Sequence, residues 1–332
     1  MPNKWMMSLR RKWVLFQWTG SDLSLSMRTI SAATVFSMAA FLFLAVCVAG
    51  AHAAENDWQP LVKRLVDDGF EQAYIESVFS DEEVVYSPEI MARKMNSLVE
   101  IKLSARKPSK ARQPEVMDRY LNPILIAGAY AFYRDNRAIL ERVETDFGVP
   151  GEILTALMLV ETKLGKQVGR HKGVLILASM ALSSDFELVR PHVARKDLSP
   201  EMMDWLVKRT GEKADWGYRE LKSLLTYALQ SSRPVQTIPS SMYGAIGKCQ
   251  FIPSSALHYG VDGTGDGVVD LFDTTDALYS MANYVKLHGW KEDLSYKEQL
   301  KVIYRYNHSE SYAMTILAVS EKIRKTKEFF EN

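Results

Sequence analysis

The sequence predicts a mainly α-helical protein, on three observations. From Asp118 onward, apolar residues recur three and four positions apart over long stretches. The strict alternation of half-buried strands is scarce. Proline and glycine stand where helices would begin and end, as in Asn122-Pro123 and Gly148-Val149-Pro150. With 332 residues, 47% hydrophobic and 24% charged, the chain has the composition of one or two globular domains. A net charge of +1 gives no electrostatic reason to expect a nucleic-acid partner. No repeat or low-complexity tract is present.

The N-terminal segment comes first. Between Thr29 and Ala54 there is no Asp, Glu, Lys or Arg. Arg28 precedes this stretch, its centre from Ala39 to Gly50 is almost wholly apolar, and it ends in Ala51-His52-Ala53. A basic start, an apolar middle and a small-x-small end describe a secretory signal over residues 1–53, with export to the periplasm as the implied destination. Met27 would start a signal of ordinary length, with 1–26 as an extension ahead of it. An uncleaved membrane anchor and lipidation at Cys47 stay open as alternatives. Any membrane association is expected through this segment alone. Its removal takes away five basic side chains and one acid, so the net charge falls from +1 to −3. Cys249 is then the one remaining cysteine; a packing role is the plain reading.

The next elements follow in order. Residues 54–115 read as an N-terminal helical region, with helices over 57–103 and a basic, proline-containing loop from Leu103 to Pro114. Residues 116–332 read as the second unit. Asn122-Pro123 opens a single expected helix from Ile124 to Phe147. Gly148-Val149-Pro150 closes it and opens the next, with proline where its missing N–H does no harm. Further helices are expected over Leu221–Gln230, Ser254–Tyr259, Thr275–His288 and Tyr312–Lys327. No convincing sheet is visible; at most a small β element is expected in the variable middle.

Glu161 sits on the helix that follows Pro150. Helical spacing puts Met158, Leu157 and Leu154 on its face. A carboxylate at the edge of an apolar wall is desolvated, so its pKa rises and it stays protonated near neutrality. A general acid working on a glycosidic oxygen needs that state. On this segment alone, a helix-end Glu turned to solvent is the plainer reading.

The segments downstream change that balance. Gly148-Val149-Pro150, Val160-Glu161-Thr162 and Gly165 are followed by the block from Ser241 to Ser255, Ser-Met-Tyr-Gly-Ala-Ile-Gly-Lys-Cys-Gln-Phe-Ile-Pro-Ser-Ser. Ala282-Asn283-Tyr284, His288-Gly289-Trp290, Tyr306-Asn307 and Tyr312 follow in order. Together they resemble the membrane-bound lytic transglycosylase B family, over roughly Tyr120 to Lys327. The resemblance implies a lysozyme-like helical fold and cleavage of the MurNAc–GlcNAc β-1,4 bond of peptidoglycan without water. It implies Glu161 as the single acid and base, a 1,6-anhydro-MurNAc product and no catalytic cofactor. Peptidoglycan glycan strands are the implied partner. Ser241, Gln250, Tyr284, Tyr306, Asn307 and Tyr312 match residues that line the sugar cleft. Serine, glutamine and asparagine can bond acetamido and hydroxyl groups, and tyrosine rings can face sugar rings.

The chain departs from the family pattern in three places, one of them the poorly matched span from Arg190 to Thr237. Basic residues are expected about two dozen positions after the catalytic Glu, where this chain reads Asp185-Phe186-Glu187, with Arg190 beyond. An upstream cleft tyrosine is missing by ungapped counting, which lands on Val116, with Tyr120 nearby.

An acidic loop runs from Asp262 to Asp273. Asp262, Thr264, Asp266, Asp270 and Asp273 stand at positions 1, 3, 5, 9 and 12, with Gly267 at 6 and the Val268 carbonyl at 7. This is an EF-hand-like layout and predicts a structural Ca²⁺. A metal-free Asp/Gly turn is the alternative. Two other functions remain in view: a lysozyme-type hydrolase, which usually needs a second carboxylate, and a peptidoglycan-binding scaffold without turnover.

Overall fold

The structure is a computed structural model that describes residues 58–106 and 113–331. The signal or anchor expected over 1–53 lies outside the described residues. No helix among the described residues is long and apolar enough to cross a membrane.

The N-terminal region forms α1 (Gln59–Asp67), α2 (Gln72–Phe79) and α3 (Pro88–Arg106). Helix α3 runs three residues past the point where a loop was expected at Leu103. A 3₁₀ turn at Asp118–Tyr120 leads to α4 (Pro123–Asp135), whose first turn is capped by the Asn122 side chain accepting from the Ile124 N–H at 2.8 Å. The single helix expected from Ile124 to Phe147 is in fact two. Helix α5 (Arg137–Phe147) starts anew after Asn136. Asn136 takes a φ of −109°, and its side-chain amide donates to the Phe132 carbonyl at 2.8 Å. A side chain that bonds the backbone in this way competes with the helical ladder. Gly148, at φ +69°, then closes α5 in the left-handed conformation that glycine adopts without strain.

Helix α6 (Gly151–Thr162) carries Glu161. It is followed by β1 (His171–Lys172), α7 (Gly173–Leu182), the short α8 (Phe186–Val189) and α9 (Pro200–Gln230). Helix α9 is three times the length expected from Leu221–Gln230. Its buried face in the first half includes Thr210, Ala214 and Gly217, small or polar residues that carry little hydrophobic signal. A side chain on Gly217 would come within 2.8 Å of Met180 Cβ, so small size there lets α9 lie close on α7. Strand β2 (Pro239–Ser240) pairs antiparallel with β1 and makes a small two-stranded sheet. Helices α10 (Pro253–Tyr259), α11 (Thr274–Leu287), α12 (Tyr296–Tyr306) and α13 (Glu310–Glu331) complete the chain.

Helix α6 is apolar almost all round: Ile153, Leu154, Ala156, Leu157, Met158 and Leu159 are all buried. A helix of that kind belongs in the centre, and α4, α5, α11 and α13 surround it. The same core takes in Trp58, Leu65 and Ile75 of α1 and α2 and their flank, so it is continuous across residue 115. A second cluster joins Ile90, Met91 and Met95 of α3 to Met180, Phe186, Val189 and Leu206. Phe186 and Val189 therefore occupy the stretch where basic residues were expected, and they are spent on packing under α3.

Candidate functional site

The site begins at the end of α6. Thr162 is buried, and its hydroxyl donates to the Lys248 carbonyl at 3.0 Å and accepts from the Gly165 N–H at 3.0 Å. The chain then turns through three left-handed residues, Lys163 (φ 50°), Leu164 (φ 63°) and Gly165 (φ 82°). Two of these are not glycine, a conformation that costs of order 1 kcal/mol or more each and persists where surrounding bonds enforce it. Thr162 thus ties the Glu161 helix to the 241–255 block, which explains why a Thr follows the Glu in the motif.

That block is a compact knot. Ile246 bridges to Ser240 and to Phe251, and the Lys248 N–H donates to the Leu271 carbonyl at 2.8 Å. At Gly247 (φ +71°) a Cβ would lie 2.5 Å from Leu271 Cβ, so only glycine fits. The Ser241 hydroxyl accepts from the Tyr243 and Ala245 N–H groups at 3.3 and 3.1 Å and holds its own turn. Gln250 is left-handed (φ 51°), and its amide donates to the carbonyls of Val168 (3.3 Å) and Gly247 (2.9 Å). Cys249 is fully buried, and burial pushes its thiol up to about 12, which leaves it inert as a nucleophile at neutral pH.

Glu161 faces this knot from α6. Burial pushes its carboxyl up to about 7, and a hydrogen bond from the Tyr312 hydroxyl, 2.5 Å from Oε1, partly offsets that rise. Tyr312, on α13, is buried and held well above the ordinary phenol range, first by desolvation and then by the neighbouring carboxylate. Tyr306 lies parallel to it, ring centres 6.4 Å apart, and donates to the Cys249 carbonyl at 2.7 Å. Tyr284 packs against Tyr306 edge-on at 4.9 Å, stacks on His288 at 4.0 Å and donates to the Arg305 carbonyl at 2.8 Å. Asn307 caps the end of α12 and is exposed. The structure therefore gathers Glu161, Tyr312, Tyr306 and Tyr284 into one connected wall, with Gln250 on the adjoining knot, Ser241 at the base of its turn and Asn307 at the rim.

Sequence reasoning missed three contributors. Tyr120 lies beside the site: its hydroxyl donates to the Val160 carbonyl at 3.5 Å, and it is felt electrostatically by Tyr312. A gap of a few residues in the upstream loop is enough to hide it from ungapped counting. Glu220, buried on α9, accepts from the Ser254 N–H (2.9 Å) and hydroxyl (2.8 Å) and so anchors the Pro-Ser-Ser end of the block. The visible signal was an acid on an otherwise apolar helix face.

Asp276 is the third. In the acidic loop, Gly267 turns at φ +88°, and its N–H donates to Asp262 Oδ2 at 2.7 Å. Asp262 Oδ1 also accepts from Thr264 and from the N–H groups of Gly265 and Asp266. The second half of the layout is different. Asp270 pairs with Arg233 at 2.6 Å, and Asp273 caps α11 by accepting from Thr275 and Asp276. The loop is closed instead by buried Asp276, which accepts from the N–H groups of Gly263, Thr264 and Asp270. Among the described residues, no group of three or more His, Cys, Asp or Glu side chains is gathered to hold a metal ion. The oxygen donors of Asp262, Thr264, Asp266 and Val268 suit a hard cation; the positions of Asp270 and Asp273 do not complete a cage.

The model of the Transglycosylase SLT domain family matches residues 53–302. The chain belongs to that family. Membrane-bound lytic murein transglycosylase B of Escherichia coli K12 is 28% identical to this SLT-family chain over 172 residues, covering 52% of this chain and 40% of the relative. The chain thus spans less than half the length of that relative. Among solved structures, soluble lytic transglycosylase SltB1 of Pseudomonas aeruginosa superposes with a TM-score of 0.60 at 21% identity, over 80% of this chain and 98% of that one. Escherichia coli lytic transglycosylase Slt35 in complex with calcium gives 0.61 at 19%, over 83% and 95%. Pseudomonas aeruginosa SltB3 in complex with NAG-NAM-pentapeptide gives 0.58 at 18%, over 80% and 79%. These likenesses establish a lysozyme-like helical fold for the chain.

Proposed function

We propose that this chain is a lytic transglycosylase that cleaves the MurNAc–GlcNAc β-1,4 bond of peptidoglycan glycan strands and leaves 1,6-anhydro-MurNAc ends. The observation that carries this reading is the Glu161 carboxyl group, whose pKa burial raises to about 7 and which accepts a hydrogen bond from Tyr312. In this mechanism Glu161 first gives its proton to the glycosidic oxygen as the C1–O4 bond breaks. The carboxylate that remains then takes the proton of the MurNAc C6 hydroxyl as that oxygen bonds to C1. Proton and charge return to the starting state, so one residue serves both steps. No water enters. Tyr306, Tyr284, Gln250, Ser241 and Asn307 are assigned to the cleft that holds the sugars, with Tyr120 added to them.

For the acidic loop we propose structural calcium binding through the oxygens of Asp262, Thr264, Asp266 and the Val268 carbonyl. The hard-oxygen donor set and the calcium complex of Slt35 support it. Asp270 and Asp273 are left to the ion pair and the helix cap they form. The 1–53 segment is assigned to export to the periplasm, with any membrane attachment made there.

The test is mass spectrometry of muropeptides released from purified peptidoglycan by the protein and by Glu161→Gln. Products one water lighter than hydrolytic ones, lost in the variant, are the expected result. Reducing-end products would replace this reading with a hydrolase. Binding with no product at all would replace it with a scaffold.

A further inference from the structure

Basic and aromatic side chains alternate where α3 crosses α9. On α9, Trp205, Arg209, Lys213 and Trp216 recur at three- and four-residue spacing and share a face. On α3, Lys94 and Lys102 stand just over two turns apart. Lys102 Nζ lies 4.4 Å over the Trp205 ring, Lys213 Nζ 5.3 Å over Trp216, and Lys94 Nζ 4.2 Å over Tyr243. The last contact reaches into the Ser241–Ser255 block, two residues from Ser241.

The charges in this seam are not balanced. Arg209 is paired with Glu212. Among the described residues, neither Lys94 nor Lys213 makes an ion pair. Both are half-buried, and desolvation, followed by repulsion from neighbouring cations, holds both ammonium groups below the usual lysine range, although the Glu212 carboxylate partly offsets this at Lys213. Partly desolvated cations without a counter-charge are costly for a fold to keep. A bound anion would lower that cost.

Which anion follows from the chemistry of the strand. Its N-acetyl sugars are uncharged, and its lactyl carboxyl is consumed in the amide bond to the peptide. The negative charges are the carboxylates of that peptide. We propose that Lys94, over the ring of Tyr243, and Lys213, over that of Trp216, receive a carboxylate of the peptide that branches from the glycan strand. The proposal rests on the reading of the chain as a peptidoglycan-binding protein. It gives the N-terminal helical region a part in substrate selection.

The test is a binding measurement that needs no turnover. Glu161→Gln protein is sedimented with intact sacculi and with sacculi stripped of peptides by an amidase, whose hydrolysis leaves one free lactyl carboxylate per MurNAc in place of the peptide, with and without Lys94→Gln/Lys213→Gln. The expected result is tighter binding to intact sacculi and a loss of about tenfold on that substrate in the double variant, in line with a lost charge-assisted bond. Affinity for stripped strands should stay within about twofold. Lys94→Arg/Lys213→Arg, which keeps both charges, should bind like the parent, and matching melting curves will show that the variants fold. Equal affinity for the two substrates in the parent overturns the proposal, as does an equal loss on both in the double variant. If the wild-type protein releases no muropeptides but this binding pattern holds, the catalytic reading fails and the carboxylate site stands.

Discussion

The Tyr312 hydroxyl sits 2.5 Å from Glu161 Oε1, although 151 positions separate the two residues. Helix α13 packs on α6 and delivers a donor to the Glu161 carboxyl group. Burial acts against the ionised form of Glu161, and this donor acts for it. The balance of the two leaves the group near 7, where it can both give and take a proton.

Glu161→Gln is expected to reduce turnover by at least about 100-fold, the scale of a lost general acid and base. It should also change stability with a definite sign. Burial raises the folded-state pKa from 4.5 to about 7, so between those values the folded protein holds a proton that the unfolded chain has released. Stability from this group is present at low pH and is lost as pH rises through that window, by up to about 3 kcal/mol. The Gln variant carries no such cost. Its Tm should exceed that of the wild type at pH 8, with the gap closing by pH 5. A gap independent of pH would show that Glu161 is not desolvated.

Tyr312→Phe removes the donor that favours the carboxylate. The pKa of Glu161 should then rise further, and the fall of kcat/KM with increasing pH should move to higher pH than the wild-type fall near 7. Turnover should also drop, since the carboxyl group loses its orientation. A pH profile that keeps its position would mean that this bond does not tune the acid.

Thr162→Val leaves the Lys248 carbonyl and the Gly165 N–H without their partner. Unpaired buried groups of this kind cost about 1–3 kcal/mol. Urea titration should show the loss, and Thr162→Ser, which keeps the hydroxyl, should recover most of it. Full stability in the Val variant would show that the knot is held without this anchor.

Calcium should raise the Tm and chelator lower it, with the same products released in both. Identical Tm values would remove calcium from the account of the loop. Asp276→Asn should lower the Tm by an amount set by three backbone N–H groups that lose a carboxylate acceptor.

The helical class and the start of α6 were legible in the sequence because they depend on local spacing: apolar residues at helical intervals, and glycine and proline at turns. The ordered motifs carried the family for the same reason. Three features were not legible in that spacing, two of them decided by tertiary contacts and one by a local side-chain bond. Tyr312, Tyr306 and Tyr284 come from three different helices, and their grouping about Glu161 follows from how α11 and α13 pack on α6 and α12 packs on α13. The break at Asn136 came from a side chain bonding its own backbone, which hydrophobic periodicity does not register. The closing of the acidic loop by Asp276 in place of Asp273 depended on which carboxylate was buried where three N–H groups converge. Spacing sets which residues share a face. Which faces meet is set by burial across the whole fold, and the pKa of Glu161 is a property of that meeting.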